Sequence, residues 1–198
     1  MDTGMRWRIF VLQVGLIGII AFVAGFAFWG SSFATNQVQS QLAAQKISFP
    51  AAGSTALTSL PKADAAAMTV YAGQELTTGA QAETYADHFI AVHLNEIGGG
   101  QTYSQLSTAA QADPTNTKLA GEVATIFKGT TLRGMLLNAY GWGEIGTIAG
   151  YAAIGLAIAA LAVLGAFLFE IVSWRKHASK ARETVGTVKP LRTATSVN

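Results

Sequence analysis

IFVLQVGLIGIIAFVAGFAFW, residues 9–29, contains no charged residue and one strongly polar residue, Gln13. A second run, IGTIAGYAAIGLAIAALAVLGAFLF at residues 145–169, also lacks Asp, Glu, Lys and Arg. Each run supplies the roughly 20 predominantly apolar residues that an α-helix needs to cross a bilayer. The sequence therefore predicts two transmembrane helices, at residues 9–30 and 145–170.

The charged residues are distributed unevenly around these two runs. Arg6 and Arg8 precede the first run, eight acidic residues outnumber five basic ones between the runs, and six basic residues against one acidic residue follow Glu170. An excess of Lys and Arg next to a span is typical of cytoplasmic segments. We therefore expect a multi-pass protein of the plasma membrane, with residues 1–8 and the basic tail 171–198 in the cytoplasm and residues 31–144 outside.

The first apolar run has an alternative interpretation as a secretory signal peptide. Arg6 and Arg8 precede it, and Ser32-Phe33-Ala34 fits a small-x-small cleavage site. The apolar region of a signal peptide is about 7–15 residues long, which is shorter than the run at residues 9–29. This length favours an uncleaved anchor, and cleavage is the alternative.

Residues 31–144 carry the local start and stop signals of helices. Starts are indicated by two capping boxes and two prolines, at Thr78-x-x-Gln81, Thr102-x-x-Gln105, Asp113-Pro114 and Ser59-x-Pro61. Glycines, among them Gly98 to Gly100 and Gly129, indicate breaks. The predicted helices lie near residues 34–48, 60–72, 78–97, 102–112, 114–128 and 130–141. The predicted fold class is an all-α membrane protein with two transmembrane helices and a small helical extracytoplasmic domain between them.

Small residues on both predicted spans indicate close helix packing. Gly146-x-x-x-Gly150 and Ala21-x-x-x-Gly25 have the spacing that lets the backbones of two membrane helices approach each other. We expect these four residues to pack the spans against each other, against a protein partner or against a second copy of the chain.

A basic cluster follows the second span, with Arg175, Lys176, Lys180 and Arg182 as its cations. Near an anionic leaflet each such charge contributes on the order of 1 kcal/mol of attraction, so the expected ligand is lipid headgroups of the bilayer. Nucleic acid is not an expected partner, because Trp174 is the only aromatic residue of this segment.

The stretch Thr78–Gly98 is the part of the chain that most suggests chemistry, because it contains two of the three histidines and three acidic residues. On a helix with 100° per residue, His93 falls inside an apolar stripe and His88 points about 140° away from it. Two histidines that diverge in this way cannot share a metal ion as an i, i+4 pair can. The apolar stripe consists of Ala82, Ala86, Phe89, Ile90 and Ile97.

No catalytic residue, metal site or cofactor is expected. The sequence has no nucleophile elbow, zinc-protease motif or phosphate-binding glycine fingerprint, and the lack of cysteine excludes disulfides and thiolate ligands. Glu144 and Glu170 lie at the ends of the second run, where hydration disfavours a role in a proton path. The candidate partner-binding or pH-sensitive site is His93 with Glu96 and Tyr85, in which His93 is expected to be buried and His88 to face solvent.

Four segments resemble a family of small actinobacterial membrane proteins without an established activity: ISFPAAGS at 47–54, YAGQ at 71–74, TGAQAETYADHFI at 78–90 and LRGMLLNAY at 132–140. The resemblance extends from about Ala34 to Phe169. The name aromatic ring-opening dioxygenase is sometimes given automatically to such proteins. That chemistry needs two histidines and a carboxylate on one iron, which His88, His93 and His177 do not supply in the predicted topology.

These observations lead to two expectations about function. The first is a non-catalytic accessory or stabilising subunit of a larger envelope or respiratory membrane assembly, which binds its partner through the outward helices and the spans. The alternative is a ligand- or metal-binding membrane protein, an enzyme or a sensor, that uses the region around His93.

Overall fold

A computed structural model describes residues 3–186, and their side chains from Gly4 to Lys176. The described part of the chain consists of helices joined by turns and short connections, without a strand, and contains one isolated antiparallel bridge between Ser48 and Glu75. Seven α-helices follow in order, with one π-helical turn, Ala86–Ile90, between α4 and α5. They are α1 Thr3–Gln45, α2 Thr55–Thr58, α3 Lys62–Thr69, α4 Gly79–Tyr85, α5 Ala91–Ile97, α6 Tyr103–Ala112 and α7 Thr117–Gly186.

Two of these helices are long and apolar enough to cross a membrane, α1 and α7. Their 43 and 70 residues correspond to lengths of roughly 65 and 105 Å. The all-α prediction is therefore confirmed, together with the two long apolar helices. The small separate helical domain between two spans is wrong, because each apolar run continues without a break into a longer terminal helix.

Three of the six predicted helices belong to these long helices. The predicted helix at 34–48 is the end of α1, and those at 114–128 and 130–141 are both part of α7. Gly129 does not interrupt α7. A side chain at this position would collide with the side chain of Leu94, so the glycine permits close packing of α5 on α7 and does not act as a break.

The helix ends follow from local capping. Both predicted capping boxes are confirmed, because the side chain of Thr78 accepts from the backbone of Gln81 and Thr102 does the same for Gln105. The start predicted at Asp113-Pro114 is wrong by three residues. Residues 113–116 form a turn, and the side chain of Asn116 caps α7 by accepting from the Leu119 backbone at 3.0 Å.

The chain divides into two compact units. The first consists of Met1–Phe26 and Ala152–Asn198, and the second of Ala27–Tyr151. In the first unit the ring of Phe10 packs edge-on against Phe167 at a centroid distance of 5.6 Å. One turn from Phe10, the side-chain amide of Gln13 donates a 3.1 Å hydrogen bond to the carboxylate of Glu170.

The second unit holds the main hydrophobic core. Val38 and Leu42 of α1 and Leu136 of α7 form its floor, and the short helices pack on them. The connections contribute Phe49 and Leu76, which are 2% and 1% exposed and adjoin the two residues of the β-bridge. The remaining core residues are Leu57, Leu60, Met68, Ala82, Ala86 and Ile90. The core therefore depends on the parts of α1 and α7 that belong to the second unit.

A contact between two glycines brings α4 against α7. A Cβ atom at Gly143 would lie 3.2 Å from the Cα of Gly79, and a Cβ at Gly79 would lie 3.3 Å from the Cα of Gly143. Gly141 lies two residues before Gly143 on the same helix and has no atom within 4 Å of an added Cβ. Gly141 and Gly143 thus lie on the same helix but differ in packing, because only Gly143 lies against another backbone.

Gly143→Ala is expected to leave the protein about 1–3 kcal/mol less stable than Gly141→Ala, because only the first substitution forces two backbones apart. The gain in helix propensity of about 1 kcal/mol from glycine to alanine is common to both variants and cancels in the comparison. Denaturant unfolding of both variants in detergent measures the difference. Equal stability of the two variants would contradict the glycine contact.

Candidate functional site

The helix that contains His88 and His93 has a π-helical turn in its middle. Gly79–Ile97 is helical throughout, and the turn occupies Ala86–Ile90. A π turn closes i→i+5 hydrogen bonds and so contains one residue more than an α turn. Each face of the helix therefore shifts by about one residue, roughly 100°, beyond the turn.

This shift corrects the predicted apolar stripe. Ala82, Ala86 and Ile90 are buried as predicted, at 0%, 0% and 8% exposure, but Ile97 is 42% exposed. Beyond the turn Leu94 faces α7, where it contacts Gly129. His93 is half-buried and not a core residue. The expectation that His93 is buried is wrong, because the extra residue of the π turn gives the inward position to its neighbour Leu94.

One ion pair and one histidine–carboxylate hydrogen bond hold the π turn in place. Arg133 of α7 donates to the carboxylate of Asp87 at 2.6 Å, and Nδ1–H of His88 donates to the carboxylate of Asp64 in α3 at 2.7 Å. His88 is therefore not simply directed to solvent, although 41% of its side chain is exposed. Partly exposed pairs of this kind contribute about 0–1 kcal/mol each, so they orient the turn more than they stabilise the fold.

A row of rings follows one side of this helix. Tyr85 contacts Phe49 at 5.3 Å and Phe89 at 4.9 Å, and Phe89 contacts His93 at 4.5 Å between ring centroids. Burial raises the pKa of the Tyr85 phenol above its ordinary value of 10.0. Because Phe89 lies between them, Tyr85 and His93 flank one aromatic ring and do not face a common ligand.

The predicted site of His93, Glu96 and Tyr85 is thus not one cluster. Nδ1–H of His93 donates to the backbone carbonyl of Phe89 at 2.8 Å, which leaves Nε2 as the available ring nitrogen. Glu96 is exposed in the last turn of α5, and no described hydrogen bond or ion pair connects its side chain to His93. Among the described side chains, no three His, Asp or Glu residues lie within reach of a common metal ion.

The predicted helix-packing residues divide into two pairs. Gly146 and Gly150 face α1, where an added Cβ would lie 3.1 Å from Oγ1 of Thr35 and 2.9 Å from Oγ of Ser31, respectively. On α1, Ala21 is exposed and Gly25 has no atom within 4 Å of an added Cβ. The role of Ala21 and Gly25 against a partner remains a prediction.

The predicted lipid-binding cations lie near the end of α7. Arg175 and Lys176 are exposed. The side chains of Lys180 and Arg182 lie outside the described residues, as does that of His177. Their role at the headgroups remains a prediction.

An apolar groove in the second unit was not predicted. It has a volume of about 880 Å³ and runs between the parts of α1 and α7 that belong to this unit. Its floor includes Val38 and Leu136, and its edges carry uncharged amides and three large apolar side chains that are more than half exposed: Phe33, Met135 and Trp142, at 53%, 65% and 53%. No charged residue lines the groove. The groove forms where α1 and α7, which are distant in sequence, lie side by side, so the sequence alone does not indicate it.

Next to the glycine contact, Tyr140 lies beside two carboxylates. Glu83 of α4 and Glu144, one turn further along α7, both raise the pKa of the Tyr140 phenol above its ordinary value of 10.0. The phenolate is disfavoured because its charge would repel both carboxylates. The neutral phenol is therefore the favoured form beside these two carboxylates.

Comparisons with protein families, with curated proteins and with solved structures find no match to this chain. The resemblance to small actinobacterial membrane proteins therefore remains a prediction, and function must be argued from the residues themselves.

Glu83→Gln is expected to lower the pKa of Tyr140 toward 10.0, because it removes the negative charge that raises this pKa most. Since the folded pKa is raised, the stabilisation that Tyr140 contributes is present below pH 10 and is lost as the phenol ionises at higher pH. Tyrosinate absorbance as a function of pH measures the shift. Glu96→Gln, an exposed carboxylate in the last turn of α5, is the control and should leave the titration unchanged.

Proposed function

We propose that this chain is a two-span integral membrane protein that serves as an accessory or stabilising subunit of a larger envelope or respiratory assembly. Both termini lie in the cytoplasm, and the short helices with the outward halves of α1 and α7 lie outside. The two long apolar helices and the excess of basic residues near both termini support this topology. The length of the apolar run at residues 9–29 favours an uncleaved first span over a signal peptide.

The apolar groove is the observation that favours partner binding. Monomeric soluble surfaces rarely carry contiguous apolar patches of more than a few hundred Å², and larger ones are typical of interaction sites. Phe33, Met135 and Trp142 border this groove with more than half of each side chain exposed. Covering them would remove large apolar and aromatic surfaces from water, which is the main source of affinity in protein interfaces.

The shape of the groove fits an amphipathic helix of the partner. From Phe33 to Gln45 it follows α1 for roughly 18 Å, which corresponds to about three helical turns. Gln37, Gln41 and Gln45 recur at every fourth residue along one edge, and Asn138 lies on the other wall. An apolar helix stripe would cover the floor, and its polar flanks would meet these amides. The absence of charge from the lining favours an uncharged stripe on the partner.

The second candidate function is binding of a ligand or metal ion at His93. It is favoured by the available Nε2 atom next to the ring of Phe89. Metal analysis of the purified protein distinguishes the two functions, because a stoichiometric metal ion would favour the His93 site over the groove.

Labelling of single cysteines tests the topology, since the chain has no cysteine of its own. Val70 is 67% exposed in the region between the two apolar runs, and Arg175 is exposed beyond the second run. Val70→Cys is expected to react with a membrane-impermeant maleimide on intact cells. Arg175→Cys should react only after the membrane is opened. The opposite pattern would invert the proposed topology.

Met135→Glu tests partner binding, and Val70→Glu is the matched control. Both residues are about two-thirds exposed in the same unit, but only Met135 lines the groove. A buried unpaired charge in the interface should lower the yield of a stoichiometric partner from gently solubilised membranes by at least about tenfold. Val70→Glu should retain the partner. A monomer without a partner, a second copy as the only partner, or equal yields from both variants would contradict the proposal.

A further inference from the structure

The first compact unit contains a polar site within its apolar helices. Gln13 is the one strongly polar residue of the run at residues 9–29, and its side-chain NH₂ donates to Oε2 of Glu170 at 3.1 Å. The amide oxygen of Gln13 is shielded from solvent and accepts no hydrogen bond from any described residue. An amide oxygen that is shielded from water and has no donor is costly, because nothing replaces the hydrogen bonds that water would make. The site therefore lacks one hydrogen-bond donor.

A groove of about 460 Å³ opens beside this pair. Its polar lining consists of Arg6, Gln13, Glu170 and Ser173, and its apolar lining of Phe10, Ala166, Phe169 and Trp174. The volume lies within the range of about 300–1,000 Å³ that is typical of small-molecule sites. Arg6 and Glu170 line the same groove but form no ion pair with each other in the described part of the chain. The groove thus presents a cation and a carboxylate, each of which can bind a group of opposite charge on one ligand.

We propose that this groove binds the headgroup of an aminophospholipid, phosphatidylethanolamine, from the leaflet that contacts the ends of α1 and α7. Its primary ammonium group carries N–H donors for Glu170 and for the unpaired oxygen of Gln13. Its phosphate carries the negative charge that Arg6 attracts, and the Ser173 hydroxyl can donate to the same oxygens. The proposal rests on the membrane insertion described above, but not on partner binding.

The dimensions of the site agree with this ligand. Arg6 and Gln13 are seven residues apart on α1, so their backbones are separated by roughly 10 Å along the helix axis. Both residues line the same groove, so one headgroup bound there can present its phosphate to Arg6 and its ammonium to Gln13. Exposed Phe169, at 76%, offers an apolar surface for the acyl chains.

The donor requirement distinguishes phosphatidylethanolamine from the other common headgroups. Phosphatidylcholine has the same phosphate and positive charge, but its quaternary ammonium has no N–H group and cannot supply the missing donor. Phosphatidylglycerol has hydroxyl donors but a net negative charge, which Glu170 disfavours. The site should therefore discriminate between headgroups, and not simply attract anionic lipid.

Native mass spectrometry of the full chain with an equimolar mixture of the two zwitterionic lipids, with identical acyl chains, tests the site. Retention of phosphatidylethanolamine over phosphatidylcholine by about tenfold is expected, since a hydrogen bond to a charged group is worth at least one decade in affinity. Glu170→Gln should reduce this ratio to near one. Glu144→Gln, which removes a carboxylate near the start of the second apolar run, should leave the ratio unchanged.

Arg6→Gln separates the phosphate contact from the ammonium contact. It should weaken the retention of both lipids without changing their ratio, because both carry the same phosphate. Gln13→Met, with a side chain of similar size, is a second test of the donor requirement and should lower the ratio even if Glu170→Gln does not fold.

Equal retention of the two zwitterionic lipids by the unchanged chain would overturn the proposal, as would stronger retention of phosphatidylglycerol or an equal effect of Glu144→Gln. Failure of the chain to insert into bilayers would instead overturn the proposed membrane function as a whole. Insertion without headgroup preference would overturn the lipid site alone.

Discussion

The close approach of α7 to α1 at Gly146 and Gly150 is the constraint on which the second unit depends. An added Cβ at Gly150 would lie 2.9 Å from the hydroxyl oxygen of Ser31, so no larger residue fits there without a shift of that side chain. This approach sets the distance between the helices where Val38 and Leu136 form the floor of the core. The short helices bury their apolar residues only because that floor exists. Few of them could fold alone, since helices below about 12 residues are marginal in water.

The sequence predicts what is encoded locally. Two charge-free runs indicate helices that can cross a membrane, and hydroxyl–glutamine pairs at Thr78 and Thr102 indicate helix starts that form as expected. It does not predict where the long helices end. A glycine that breaks a helix and a glycine that allows close packing look identical in sequence, and Gly129 is of the second kind because Leu94 lies against it. Pro114 likewise fits either a helix start or a turn. In the structure it lies in a turn, because the side chain of Asn116 caps α7, which begins at Thr117.

The candidate site was less predictable than the fold, for two physical reasons. A helical wheel assumes 100° per residue, and the π turn at Ala86–Ile90 breaks that assumption between His88 and His93. The partners of the turn, Asp64 and Arg133, are 24 and 46 residues away in sequence from the groups that they bind. Sequence periodicity contains no information on such pairs. The sequence does single out Gln13 as the lone amide in an apolar run. Only the structure identifies Glu170 as its partner.

Glutamine side chains line both grooves but affect binding differently. The groove between α1 and α7, here called the outer groove, is open to water, whereas the oxygen of Gln13 beside Glu170 is shielded from it. At the outer groove, Gln37 and Gln41 border an opening to water, which satisfies their hydrogen bonds at little cost, so affinity there depends on the apolar floor and the exposed aromatic rings. At the groove beside Glu170, the oxygen of Gln13 is shielded from water and has no donor among the described residues, so the missing donor favours the lipid binding that we propose. We therefore expect shape and apolar area to govern the proposed partner binding at the groove between α1 and α7, and hydrogen-bond chemistry to govern the proposed lipid binding beside Glu170. In these two proposals the same residue type contributes to a permissive protein contact and to a selective lipid contact.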